Sequence, residues 1–448
     1  MNKKIINLSI SILIFILIVL TKPFGIELNQ SIILASVAMV LVLWATNCVT
    51  KTISSIFIII IFFIFSSSGA NTILKFPLSG NLVLIIASYL IAHGIKTSGL
   101  ADRISEVVIK RYTTTVYSLI ALSFVLSFIL IFLIPQTFPR AIIMAAIYLE
   151  FLNKQNISAK TKSVILFSIF VAVTATSMAF INGDIIFNNA VLLFSGIHLT
   201  WSGWAKYMLI PTIIISVLMY LGFILIFYRD IKGSKFSIEK SDNGKIKFSG
   251  AEKKGALITS LIIILWVTES LHGISAVWVS VIGVLSMYAL GLIRISDLKI
   301  IKLELLLFLT AAFSIGGVLN HEGIAGLIFD KILPTTNSDS MLIFYSIIVV
   351  MILHMILGSS MTSMSLCLPV LTSSLPMSVN PIFMMFSLYV AINIHYILPL
   401  HHAVIMIGEG EGHYDTSMTI KYGIFLTIFV FISIYAVLMP YWKLIAIL

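Results

Sequence analysis

FLIPQTFPRAIIM, residues 132–144, sits inside a long apolar stretch yet carries Pro135, Gln136, Thr137, Pro139 and Arg140. Proline has no N–H to donate and breaks a helix interior. An arginine at mid-membrane depth costs about 2.5–3.5 kcal/mol on insertion scales. The flanks decide what the stretch is. The apolar residues 116–152 lie between two basic loops, DRISEVVIKR (102–111) and NKQNISAKTK (153–162). Basic loops stay on the cytoplasmic side, so the segment leaves and returns to the same face. We read it as a re-entrant hairpin with the prolines at its tip. Non-helical backbone at that depth is tolerated only where it is buried in protein or lines a wet cavity.

The composition agrees with a membrane setting. Of 448 residues, 59% are hydrophobic and only 10% charged, where a soluble domain carries roughly a quarter charged residues. Apolar runs recur near the ~20 residues a helix needs to cross a bilayer, enough for about eleven spans. The first run follows Lys3 and Lys4 and lacks a small-residue cleavage site, so it reads as a transmembrane helix rather than a signal peptide. The net charge of +10 sits in short loops, as the positive-inside rule expects. It points to the lipid bilayer as partner and not to nucleic acid. Cys48 and Cys367 suggest neither a disulfide framework nor a cysteine metal site. H-E-x-x-H, Walker and G-x-S-x-G motifs are all missing, so an enzyme is not indicated. Outside transport, the competing class is a membrane-embedded component acting on lipid-linked intermediates.

The longest polar segment, residues 229–254, holds eight lysines and arginines and divides the chain into halves, 1–228 and 255–448. It is expected in the cytoplasm with the N-terminus, and the C-terminus outside. Residues 163–200 are too long for one simple crossing and contain FINGDIIFNNAVLLFSG, which predicts a helix broken near Asp184. The second half repeats this plan. A second hairpin is expected near 341–376, and a second broken helix near Pro399. FNNAVLLFSG (187–196) resembles LHHAVIMIGEG (400–410), and IAHGIKTSGLADRI (91–104) pairs with IGGVLNHEGIAGLI (315–328). With one hairpin open to the inside and the other to the outside, the fold expected is an all-α polytopic membrane protein. It consists of two inverted repeats, the plan of many secondary transporters.

The polar islands carry the candidate chemistry. Pro139 suits the first turn of a helix, which sets Arg140 at a half-helix N-terminus that already bears partial positive charge. A cation there calls for an anion, either Asp184 or a substrate. We read Arg140 as a substrate ligand with Asp184 as a switchable partner; the alternative is a structural Arg140–Asp184 pair. Ser359, Ser360 and Thr362 in GSSMTSMS suit an anion through a capped half-helix, or sodium through hydroxyl oxygens. Asn188 and Asn189 occupy the places of His401 and His402 in the other half. The asparagines offer donors and acceptors, and the histidines could carry a proton. His354 and His395 read as packed core histidines.

Over residues 79–441 the chain resembles the divalent anion/sodium symporters of the ion transporter superfamily. The segments that carry the resemblance are IASYLIAHGIKTSGLADRI, PTIIISVLMYLGFILIFYR and LPLHHAVIMIGEGEGHYDTSMTIKYGIFLTIFVF. That family places Ser-Asn-Thr at each hairpin tip, where side chains meet sodium and substrate. Here the first tip reads Pro135-Gln136-Thr137, and only the threonine carries over. The second reads Ser359-Ser360-Met361, and only the serine carries over. The resemblance implies an ion-coupled carrier of dicarboxylates or inorganic oxyanions, a homodimer, and an elevator-like transport domain. It implies no cofactor beyond sodium as coupling ion, with Asp184, Ser359 and Ser360 as its candidate contacts. The polar islands and the resemblance together give the candidate substrate contacts Gln136, Thr137, Arg140, Asn188, Asn189, Ser359, Ser360, Thr362, His401 and His402. The departures leave open a sodium-independent exchanger, a proton-coupled carrier using Asp184 or His401/His402, and a uniporter; the superfamily also contains arsenite and oxyanion efflux permeases. A fixed Arg140 repels a nearby cation and supplies permanently the charge that sodium supplies in relatives.

Overall fold

The computed structural model describes residues 3–46, 48–234, 236, 248–301, 303–332, 338–358, 360–373, 375 and 379–445. Every regular element among them is helical. The first part of the chain runs through α1 (Lys3–Thr21), α2 (Leu28–Thr46), α3 (Lys51–Phe65), the single turn α4 (Ala70–Ile73), α5 (Gly80–Ser98) and α6 (Leu100–Tyr112). Gly99, at φ 76°, turns the chain between α5 and α6. That left-handed conformation costs glycine little and other residues more. An ion pair from Arg103 of α6 to Glu252, 3.3 Å, ties this corner to the second half.

The hairpin follows as α7 (Val116–Leu130) and α8 (Thr137–Asn153). A capping box between Thr115 and Ser118 starts α7, satisfying orphan N–H groups at its end. Pro135 lies in the turn, Gln136 is the N-cap residue of α8, and Pro139 falls in its first turn, where a missing N–H costs nothing. Next comes α9 (Ala159–Thr176), a break over 177–184 that ends in a 3-10 turn (Ile181–Asp184), and α10 (Ile185–Ser195). The stretch needs Gly183: a Cβ there would lie 2.1 Å from the Ser177 carbonyl oxygen. α11 (Trp201–Ile231) closes this half. Most of the basic linker beyond it lies outside the described residues.

The second part contains α12 (Gly250–Val267), the short α13 (Glu269–His272), α14 (Ala276–Ala289), α15 (Leu303–His321) and α16 (Ile324–Ile332). Gly323, at φ 71°, again turns the chain between the last two. A second helical pair follows, α17 (Asp339–Leu357) and α18 (Ser360–Ser373), around Gly358 at φ 59°. Then α19 (Pro381–Asn393), a break over 394–402 that includes a 3-10 turn (Pro399–His401), and α20 (Ala403–Gly410) repeat the order of α9 and α10. α21 (Thr416–Ile432) continues through a π-helical turn into α22 (Met439–Leu444). Gly423 of α21 passes so close to the second break that a Cβ would lie 2.3 Å from the Tyr396 carbonyl oxygen.

Five helical stretches are long and apolar enough to cross a membrane: Lys4–Thr21, Ala159–Thr176, Trp201–Ile231, Asp339–Leu357 and Thr416–Leu444. Shorter apolar helices accompany them, and the chain is an all-α multi-pass membrane protein. α9 and α19 form its centre. Every side chain from Val164 to Thr176, and from Phe383 to Asn393, is buried. Asn393 donates to the Thr174 carbonyl at 3.0 Å, and Tyr389 to Asn188 Oδ1 at 2.6 Å. The two helix breaks are thereby fastened to one another's helices in the core.

Candidate functional site

Breaking a helix inside a membrane leaves carbonyls and N–H groups without partners, and each buried orphan costs about 1–3 kcal/mol. The polar residues of this chain gather where those orphans are. At the first hairpin tip, the Ile185 N–H donates to the Pro135 carbonyl at 3.1 Å, joining the tip to the first break. Asn182 Nδ2 donates to the Ile131 carbonyl at 3.3 Å, and its Oδ1 accepts from Trp201 Nε1 at 3.0 Å. Thr137 Oγ1 donates to Asp184 Oδ2 at 2.8 Å, while Oδ1 of the same carboxylate caps α10 by accepting from the Phe187 N–H at 3.2 Å. An acid at a helix N-terminus meets the positive end of the helix dipole.

Arg140 is fully buried. Its Nη1 donates to the Ile134 carbonyl at 3.1 Å and its Nη2 to the Gly183 carbonyl at 2.9 Å. One carbonyl comes from the hairpin turn and the other from the helix break. The terminal nitrogens are thus spent on backbone oxygens rather than on the Asp184 carboxylate, whose charge acts on the guanidinium through space. Arg140 Nε and Gln136 Nε2 are buried and find no partner among the described residues.

Asn188 is likewise a brace. Its Nδ2 lies 3.0, 2.9 and 3.2 Å from the carbonyls of Ser177, Phe180 and Ile181, which it gathers around the break. Asn189 Nδ2 donates to the Ile185 carbonyl at 2.7 Å.

At the second tip, His354 Nε2 lies 2.9 Å from the His401 carbonyl, an acceptor, so that nitrogen carries the proton and donates. Ser360 Oγ sits 3.3 Å from both. His401 Nδ1 accepts from the N–H groups of Ile397 and Leu398, at 3.3 and 3.1 Å. His402 Nδ1 caps α20 through the Val404 N–H at 3.3 Å, the place Asp184 holds on α10. The helix after the first break therefore starts earlier than the pairing of Asn189 with His402 suggests. Thr362 is buried, and Ser359 lies outside the described residues.

His354 and His395 are buried, as expected of core residues, but they are also part of this second site. Their rings are 6.2 Å apart, and His354 is 6.1 Å from His401. Nδ1 of each is buried with no partner among the described residues. The signal that could have found His354 is its place one turn ahead of the Gly358 tip. No group of three or more His, Cys, Asp and Glu among the described residues is arranged to hold a metal ion.

A cavity of ≈ 270 Å³ borders the first break, between α5, α10 and the α12–α14 corner. Asn182, Asn189, His198, Trp201, Trp266 and Glu269 are among its lining residues. The cavity adjoins the first break, while the second tip is not among its lining residues. The family model for the sodium:sulfate symporter transmembrane region matches residues 2–448. The chain belongs to that family. Membership bears out the resemblance read from the sequence and makes the chain one of a family of sodium-coupled anion transporters. A search of curated proteins finds no match.

Proposed function

We propose that the protein is a secondary transporter that carries small anions, sulfate or dicarboxylates, across the cytoplasmic membrane. The observation that carries this reading is the fastening of each hairpin tip to its own helix break, by Arg140 and Thr137 in one half and by His354 and Ser360 in the other. Two half-helix N-termini, one guanidinium and a cluster of imidazoles meet an anion better than a cation. Family membership supports the same solute class and argues for sodium as a coupling ion.

The recurring order of elements supports two repeats, 1–228 and 255–448, of opposite orientation, joined by a cytoplasmic linker over 229–254. In this reading the N-terminus is cytoplasmic and the C-terminus outside. Each tip and its break move as one body, in an elevator-like manner, within a homodimer. Gln136, Thr137, Arg140 and Asn189 contact the solute from the first half. Ser359, Ser360 and Thr362 contact it from the second, with His401 and His402 holding the backbone of the second break behind them. Asn188 acts as a brace behind them, and Asp184 balances Arg140.

Uptake of labelled sulfate and succinate into proteoliposomes tests the reading directly. Accumulation of neither, in a protein that is folded and correctly inserted, refutes it. Single cysteines at 136 and 360, in a background without Cys48 and Cys367, test the opposed repeats: labelling should alternate between the two membrane faces.

A further inference from the structure

We infer that Arg140 is a built-in cation for the first half of the protein, occupying the oxygen-lined place where a coupling sodium would be held, so that this half binds none. The inference rests on the proposed transport function and deepens it by assigning the ion chemistry of one of its two halves.

Ile134 lies in the turn between α7 and α8 and Gly183 in the 3-10 turn ahead of α10, yet their carbonyls converge on a single side chain. Beside them stands the Asp184 carboxylate, with the Thr137 hydroxyl on one of its oxygens. Two carbonyls, a carboxylate and a hydroxyl are the donor set of a hard monovalent cation. In this chain the two carbonyls are already served by a group with a permanent charge and a fixed fork of donors, and the carboxylate is held by the Thr137 hydroxyl and the Phe187 N–H. The guanidinium is fully buried and covalently attached, so it cannot be exchanged with the medium. A sodium ion at the same break would lose both carbonyls to Arg140 and face a positive charge in a medium where repulsion is weakly screened. The residues present do not fit sodium there. Any sodium this chain uses is held elsewhere.

The test reads cation binding without an anion gradient, so it stands apart from the uptake assay. Thermal stability of the purified chain in nanodiscs is followed as sodium chloride replaces choline chloride at constant ionic strength. Arg140→Ser removes the guanidinium and leaves its oxygens facing an open space. It should gain a saturable, sodium-specific rise in Tm of about 2 °C or more over the wild-type response, because a ligand of the folded state stabilises by mass action. Arg140→Lys keeps a charge and should not gain it. Adding Asp184→Asn to Arg140→Ser should remove the gain. An identical sodium response in the wild type and Arg140→Ser would overturn the inference. If Arg140→Ser does not fold, binding of sodium-22 to the wild type and to Asp184→Asn decides. Binding that the asparagine abolishes overturns the inference, and binding that it leaves unchanged, or none in either protein, supports it.

Discussion

Asn188→Ala should be among the most destabilising single substitutions in the core, although the residue reads as a substrate ligand in the sequence. The two Nδ2 hydrogens serve three carbonyls, those of Ser177, Phe180 and Ile181, and Oδ1 receives the Tyr389 hydroxyl at 2.6 Å. The side chain is fully buried, so water cannot replace it without opening the break. Alanine strands at least two carbonyls and one hydroxyl. At about 1–3 kcal/mol for each orphan, with some relaxation of the carbonyls, the loss comes to about 3–5 kcal/mol. That lies in the tail of the distribution for point mutants and should lower the Tm by roughly 5 °C or more. Tryptophan fluorescence melts of the purified protein would measure it, with Trp201 and Trp204 reporting from beside the break. A cycle with Tyr389→Phe should give a coupling energy of about 1–2 kcal/mol. A melt within about a degree of wild type, or a cycle without coupling, would refute the bracing role.

Other substitutions probe the same framework. Gly183→Ala forces a methyl group to within 2.1 Å of the Ser177 carbonyl oxygen; it should cost about 1–3 kcal/mol and reduce uptake, and normal uptake at normal expression would show that the break tolerates displacement. His354→Ala removes the donor to the His401 carbonyl and should destabilise by about 2–4 kcal/mol through a cavity and an orphaned oxygen, whereas His354→Gln, able to donate in its place, should recover part of the loss in the same melt. Glu322 lies at the end of α15. Burial pushes its carboxyl up, but hydrogen bonds from Ser66 and Ser67, together with His321, outweigh this and hold it below its usual range. A depressed carboxyl contributes stability above its unfolded pKa and loses it as pH falls through the folded value. Glu322→Gln should therefore melt lower than wild type at neutral pH, and the gap should close as the solution is acidified toward and below the ordinary carboxylate range. A gap independent of pH would mean that the serine contacts do not favour the ionised form.

How far the sequence could be read depended on whether a signal was local. Pro135 and Pro139 mark an interruption because proline acts on its own backbone, and the chain does turn there, between the helices Val116–Leu130 and Thr137–Asn153. The second helical pair, Asp339–Leu357 and Ser360–Ser373, was legible from the glycine and hydroxyl cluster between two apolar runs. The break before Asp184 was legible for the same kind of reason. What each polar side chain does there was not legible, because its partners are distant in the chain. Gly183 is 43 residues from Arg140, and His401 is 47 from His354.

A polar residue at a membrane-buried break can satisfy the broken backbone or meet the solute, and the same atoms serve either purpose. The sequence records the atoms and not the choice. The structure separates them. Asn188, His401, His402 and the terminal nitrogens of Arg140 are spent on backbone groups. Gln136 Nε2, Arg140 Nε, His354 Nδ1 and His395 Nδ1 are buried without a partner among the described residues. Burying such groups unpaired is costly, and a transporter has a reason to bear that cost where its cargo supplies the missing bonds. Two of the four belong to each half. A solute drawing on both pairs would have to sit between the tips, so replacing Gln136 and His395 together should weaken anion binding more than it weakens the fold. Ligand-induced stabilisation, compared with the unliganded melt of the same variant, separates those two effects. Equal losses in both measurements would return these residues to the role of core.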